Sequence, residues 1–173
     1  MSEPFRLHER GQSAAVLIGT WDYAHLPSVR AVRHSIDRMY HLLTGPAVSW
    51  PKSDVTRINN PANAGDLADR LMTAFDGVPD VALFYYVGHG QDDHNGELCL
   101  GLGGSRPDLH RRATTSLEYR SVREALRHSK ASVKIVILDC CYSGIAVDPA
   151  HSLGSLASAA KLVLQRTHQS GRT

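Results

Sequence analysis

Val133-Lys134-Ile135-Val136-Ile137-Leu138-Asp139-Cys140-Cys141-Tyr142-Ser143-Gly144 is the stretch that decides the fold. Its opening, VKIVIL, is a β-branched apolar run broken only by Lys134, the pattern of a strand buried on both faces of a parallel sheet. The run passes straight into a polar turn that carries two cysteines. Val81–Val87 (VALFYYV) repeats the arrangement and leads directly into Gly88-His89-Gly90. Ala14–Ile18 (AAVLI), ending before Gly19, reads as a third buried strand, and Val55–Ile58 as a shorter fourth.

Between these strands, apolar residues recur at helical spacing. Ile36, Met39, Leu42 and Leu43 form one stripe, closed by Gly45-Pro46. Leu67, Leu71, Met72 and Phe75 form a second, and Leu117, Val122, Ala125 and Leu126 a third. Leu153 to Gln165 is expected to be a final helix. Asn95-Gly96 signals a hairpin turn, with Glu97 to Leu100 as a small strand beside it. Strands alternating with helices predict an α/β domain, a three-layer sandwich whose mostly parallel sheet has helices on both faces. Its expected extent is residues 13–166, after a polar segment at 1–12 and before a mobile tail at 167–173.

The 173 residues suit one such domain. Lys and Arg number 19 against 17 Asp and Glu, a balance that argues against a nucleic-acid-coating protein. No apolar run approaches a membrane span, and Met1 to Gln12 lacks the apolar core of an export signal. Three cysteines, Cys99, Cys140 and Cys141, make no disulfide framework, so a cytoplasmic location is expected. No CxxC, HxxxH or GxGxxG spacing points to a metal or dinucleotide, and no arginine follows Cys141 closely enough for a phosphatase loop. No cofactor is expected.

In a parallel sheet, function collects outside the carboxyl ends of the strands. Here one strand ends in His89 and another in Cys141. A cysteine nucleophile needs a base to take its proton, and histidine does this near neutral pH. The backbone amides of Gly90 and Cys141 could donate to an oxyanion on an attacked carbonyl. Asp139 sits two residues before Cys141, so on a strand the two side chains share a face. Its carboxylate could line the substrate pocket and favour Arg or Lys before the scissile bond, or it could simply cap the strand end.

Tyr85-Tyr86-Val87-Gly88-His89-Gly90 and Ile137-Leu138-Asp139-Cys140-Cys141-Tyr142-Ser143-Gly144 together resemble the caspase-like cysteine peptidases, metacaspases and short bacterial members included. The second segment is similar to the metacaspase Asp-x-Cys-x-Ser-Gly signature, which implies Cys141 rather than Cys140 as nucleophile. His89 stands roughly 50 residues upstream, as in caspases. The opening strand, the Leu26-Pro27 loop and the Ser35 to Thr44 helix look like the family too. The resemblance implies a caspase-like catalytic domain acting on protein or peptide substrates.

The departures have consequences. His34-Ser35 stands where metacaspases usually carry Asn-Asp. The acidic calcium-binding insert of many metacaspases is reduced to Asp92, Asp93, Asn95 and Glu97, which read better as a solvated hairpin turn than as a calcium site. Caspases read aspartate with an arginine from the loop before the first helix, where Arg30 and Arg33 are candidates for substrate binding. Complete family members carry six sheet strands against the four counted here. A small-subunit segment or chain, or self-association, is therefore expected to cover an open sheet edge. Arg166 and Arg172 are candidate self-cleavage sites. The contrasting expectation is a catalytically incomplete caspase-like scaffold or interaction module.

Overall fold

A computed structural model of the protein describes residues 12–141 and, as backbone, the strand at 161–166. The chain runs β1 (Ala14–Gly19), α1 (Ala31–Thr44), β2 (Val55–Asn59), α2 (Ala64–Phe75), β3 (Val81–Val87), β4 (Gly90–Asp92), β5 (Leu98–Leu100), α3 (Arg112–Thr115), β6 (Leu117–Glu118), α4 (Tyr119–His128), β7 (Val133–Asp139) and β8 (Lys161–Arg166). The main sheet has the order β2-β1-β3-β7-β8. Its first four strands are mutually parallel, and β8 joins β7 antiparallel. β4, β5 and β6 form a separate small antiparallel sheet.

Alternation along the strands divides the interior in two. Val16, Ile18, Phe84, Tyr86, Val136 and Leu138 face α2, α4 and the small sheet. Ala15, Leu17, Leu83, Tyr85 and Val87 face α1. The molecule is thus an α/β structure with a mostly parallel sheet between helical layers, as the sequence predicts. The seven residues of β3 are all buried, in keeping with their unbroken apolar run.

Three local expectations need correction. Leu117 belongs to β6, paired with Leu100, and the helix starts only at Tyr119. Leu42 is 52% exposed: α1 buries Val32, Ile36 and Leu43, and Leu42 falls outside that stripe. Residues 161–166, expected to end a helix, form β8 instead, while residues 153–160 lie outside the description. β8 gives the main sheet a fifth strand, so β7 is not the open edge. Arg166 is the last residue of β8 and is registered against Val133 in the ladder. Arg172, the 1–11 segment and the 167–173 tail lie outside the described residues.

The hairpin after β3 is as expected, but its turn is less solvated. Asp93 is only 6% exposed. Its carboxylate accepts the backbone N–H groups of Asn95 at 2.8 Å and Glu97 at 2.9 Å. Asp92 instead pairs with Arg112 at 2.8 Å. Burial by itself would raise the Asp93 carboxyl, but the Glu97 and Asn95 bonds outweigh it and hold it below 3.8. The folded form therefore favours the carboxylate. Its contribution is complete above the unfolded value and is lost as pH falls through the lowered folded one. Asp93→Asn should make stability less pH-dependent in the acid range, as pH falls through and below the ordinary carboxylate value, measured by denaturant unfolding; an unchanged acid dependence would contradict this.

Candidate active site

The β1–β3 boundary is the sheet's topological switch point, because the chain leaves β1 toward β2 on one side and β3 lies on the other. Crevices form outside the carboxyl ends of strands at such a boundary. Here the loop after β1 meets the loop after β3. Val87 pairs with Asp139 in the β3–β7 register, so His89 and Cys141 each lie two residues beyond one registered pair. The Gly88 amide continues the ladder to the Asp139 carbonyl at 3.3 Å.

The two glycines flanking His89 are required by crowding. A β-carbon on Gly88 would come within 2.6 Å of the Tyr86 hydroxyl and 2.7 Å of the Tyr23 hydroxyl. One on Gly90 would fall on the Cys141 carbonyl oxygen and 3.1 Å from Cys140 Sγ. The backbones of the two strand ends therefore converge at Gly90. Gly101 N–H donates to the His89 carbonyl, and Asp93 N–H to the Glu97 carbonyl. In the alternating antiparallel pattern this leaves Gly90 at a non-hydrogen-bonded position, its N–H directed away from β5.

His89 is held at nearly every polar atom. Its N–H donates to the Tyr23 hydroxyl at 2.9 Å, which in turn donates to the Thr20 carbonyl at 2.7 Å. Its carbonyl accepts from Gly101 N–H at 2.8 Å and from the Tyr86 hydroxyl at 2.9 Å. The imidazole packs against the Tyr23 ring, centroids 4.8 Å apart. Nε2 lies 2.8 Å from the Pro27 carbonyl oxygen. A carbonyl can only accept, so Nε2 carries a hydrogen. In the neutral ring, Nδ1 then holds the lone pair. Burial raises both tyrosine hydroxyls above 10.0, which keeps them neutral and able to donate.

The loop bearing Tyr23 and Pro27 is itself fastened. Asn60 Oδ1 accepts the amides of Trp21 at 2.8 Å and Asp22 at 3.1 Å. Ala24 N–H donates to the Gly103 carbonyl, and Val29 N–H to that of Trp21. Neither Tyr23 nor the Pro27 carbonyl was a candidate from sequence. A backbone carbonyl leaves no mark in residue identity, and Tyr23 sits in an aperiodic loop.

The cysteines separate clearly. Cys140 is buried among the residues facing α2 and α4, and Cys141 is the exposed one of the three free cysteines. Burial, with smaller contributions from Cys141 and Asp139, pushes the Cys140 thiol up to about 12. Cys99 is pushed equally high, chiefly by burial. Both stay protonated near neutral pH and are unsuited to nucleophilic attack.

Asp139 is half-buried on the α1-facing side beside Tyr85, whose hydroxyl is raised first by burial and then by the Asp139 charge. Its carboxylate accepts no hydrogen bond among the described residues. Arg30 occupies the N-cap position of α1 without a side-chain capping bond, and Arg33 lies inside the first turn rather than in the preceding loop. Both are exposed, and neither is ion-paired with Asp139 among the described residues. Among those residues, no three His, Cys, Asp or Glu side chains cluster as metal ligands. No helix among them is long and apolar enough to cross a membrane.

Tyr23→Phe removes the acceptor of the His89 N–H. It should cost about 1–3 kcal/mol of stability, the usual penalty for orphaning a buried donor, as read by urea unfolding. An unchanged midpoint would mean that the hydroxyl does not hold His89 in place.

No protein-family model matches the chain, and no curated protein matches it significantly. The functional reading therefore rests on the residues at the two strand ends.

Proposed function

We propose that the chain is a cysteine endopeptidase of caspase-like fold, with Cys141 as nucleophile and His89 as proton acceptor and donor. The observation that carries this reading is the convergence of the two strand ends at Gly90, one carrying a histidine anchored through its backbone and Nε2 and the other an exposed cysteine. A nucleophile, a base and a third group orienting the base make up the constellation that covalent catalysis needs. The Pro27 carbonyl supplies the third part through Nε2.

The steps follow from that tautomer. His89 Nδ1 takes the Cys141 thiol proton, and the thiolate sulfur attacks the peptide carbonyl carbon. Negative charge moves to the carbonyl oxygen, where the Gly90 and Cys141 amides donate. Collapse breaks the C–N bond, and Nδ1–H protonates the leaving amine. Water, deprotonated by the same nitrogen, then hydrolyses the thioester and restores the thiol. No cofactor takes part in this scheme. The same proposal extends to completion of the sheet. β8 is an outer strand, so its free side is where a small-subunit segment, a separate chain or a second copy would add strands.

Cys141→Ala and His89→Ala should each abolish cleavage of peptide substrates while leaving the unfolding midpoint nearly unchanged; Cys140→Ala should keep most activity. An inactive Cys140 variant beside an active Cys141 variant would reverse the assignment.

Asp139 supports a basic residue before the scissile bond. Its half-buried carboxylate has no hydrogen-bond donor among the described residues. Peptides with Arg or Lys there should be cut at least about tenfold better than Asp equivalents, roughly 1.4 kcal/mol, as measured by kcat/KM. A preference for Asp would transfer the pocket role to Arg30 or Arg33.

A further inference from the structure

Beside the His89 loop lies a cavity of about 380 Å³ lined by His25, Arg106, Pro107, Asp108 and Arg111. The proposed peptidase steps use none of these five residues. His25 lies two residues after Tyr23 and two before Pro27, the residues that meet His89 by ring and by carbonyl. With about 3.8 Å between successive α-carbons, the cavity wall begins within two or three residue lengths of the imidazole's neighbours.

The opposite wall is rigidly tied to the same edge. Arg112 Nη1 reaches both the Asp92 carbonyl and its carboxylate at 2.8 Å, while Arg112 Nε donates to the Pro107 carbonyl at 3.0 Å. This clamp joins the 106–112 segment to β4, the strand that begins at Gly90. The buried Ser105 hydroxyl accepts from Leu102 N–H at 2.7 Å and lies 2.9 Å from the Thr115 carbonyl, and Arg106 N–H donates to Thr115 Oγ1 at 3.1 Å. Gly103 bridges the walls, accepting from Ala24 N–H and donating to the Pro61 carbonyl.

The charged side chains lining the recess differ from the one holding the frame. Arg112 is committed to Asp92. Arg106 and Arg111 make no side-chain ion pair among the described residues. Asp108 turns a carboxylate oxygen to the His110 amide at 3.0 Å, which engages part of its charge. Two free guanidiniums against one engaged carboxylate make a net cationic recess, suited to the fork geometry of a carboxylate.

Resting on the peptidase reading above, we propose that this cavity is a substrate subsite for an acidic side chain. The preferred substrate would then carry a Glu or Asp a few residues from the scissile bond. An extended peptide advances about 3.3 Å per residue, so two to five residues bridge the reacting carbonyl and a recess at this remove.

The test uses the full chain carrying Cys141→Ala, so that binding is read without turnover. Fluorescein-labelled peptides with Arg at the scissile position carry Glu or Gln, in turn, two to five residues to either side. Anisotropy should show Glu binding about tenfold tighter than Gln at one position, the usual size of a charge-assisted pair. The gap should close in Arg106→Gln/Arg111→Gln. If that double variant melts early, the exposed Arg111→Gln alone should narrow the gap. Equal binding of Glu and Gln peptides, absence of binding by either, or a gap that survives the arginine changes would overturn the subsite. Equal displacement of Glu and Gln peptides by millimolar inorganic phosphate would also overturn it, marking a general anion site. A gap that closes as expected, with no cleavage of any peptide by the unsubstituted chain, would overturn the peptidase reading and leave the acidic-peptide site standing.

Discussion

Parallel pairing between β3 and β7 fixes the level at which two chains leave the sheet, and every group at the candidate site inherits its position from that register. Val87 stands against Asp139, and the Gly88 amide adds one last bond to the Asp139 carbonyl. Past that point the strands must part, yet Gly90 holds them together for one residue more because it offers no side chain to the Cys141 carbonyl. A shift of one residue in the ladder would exchange the faces of Cys140 and Cys141. The buried thiol would then be exposed and the exposed one buried. The hydrophobic alternation of β7, with Val136, Leu138 and Cys140 on the deeply buried side, is thus also what selects the accessible sulfur.

Around this edge the structure uses hydrogen bonds differently on the two strands. The histidine side is over-determined: amide and Nε2 are held from the loop after β1, and the carbonyl from β3 and from Gly101. On the cysteine side, the described contacts are the ladder and the approach to Gly90. A firmly held imidazole and an exposed thiol at neighbouring strand ends would suit the proposed chemistry, in which the base stays in one tautomer while the sulfur meets a carbonyl.

Much of this was legible before any coordinates. Strands β1, β3 and β7 announce themselves as continuous apolar runs, because a strand covered on both faces has no polar side to show. Both strand-end residues were legible for the same reason, since the runs stop at them. Legibility failed where one signal served two structures. Leu153, Leu156, Val163 and Leu164 can be spaced as a helix, but Leu162 and Leu164 also alternate as a strand. Pairing of 161–166 with β7 settles the choice in favour of the strand. Leu117 was drawn into a helical stripe it does not share, since its partner, Leu100, lies across a loop. Met72 and Leu42 satisfy a spacing count but sit about 100° or more around their helices from the buried line. The grip on His89 was unreadable because it relies on a backbone carbonyl and a loop tyrosine, neither of which has a period.

The Pro27 carbonyl is part of the main chain, so no side-chain replacement deletes it. A scan of single substitutions through the loop after β1 would therefore underreport the group that orients the histidine. The sensitivity would surface elsewhere, at Asn60, whose side chain ties down Trp21 and Asp22 from the end of β2. Tolerance maps drawn for this protein would then mark as important a residue with no hydrogen bond to the imidazole among the described residues, and pass over the carbonyl that has one.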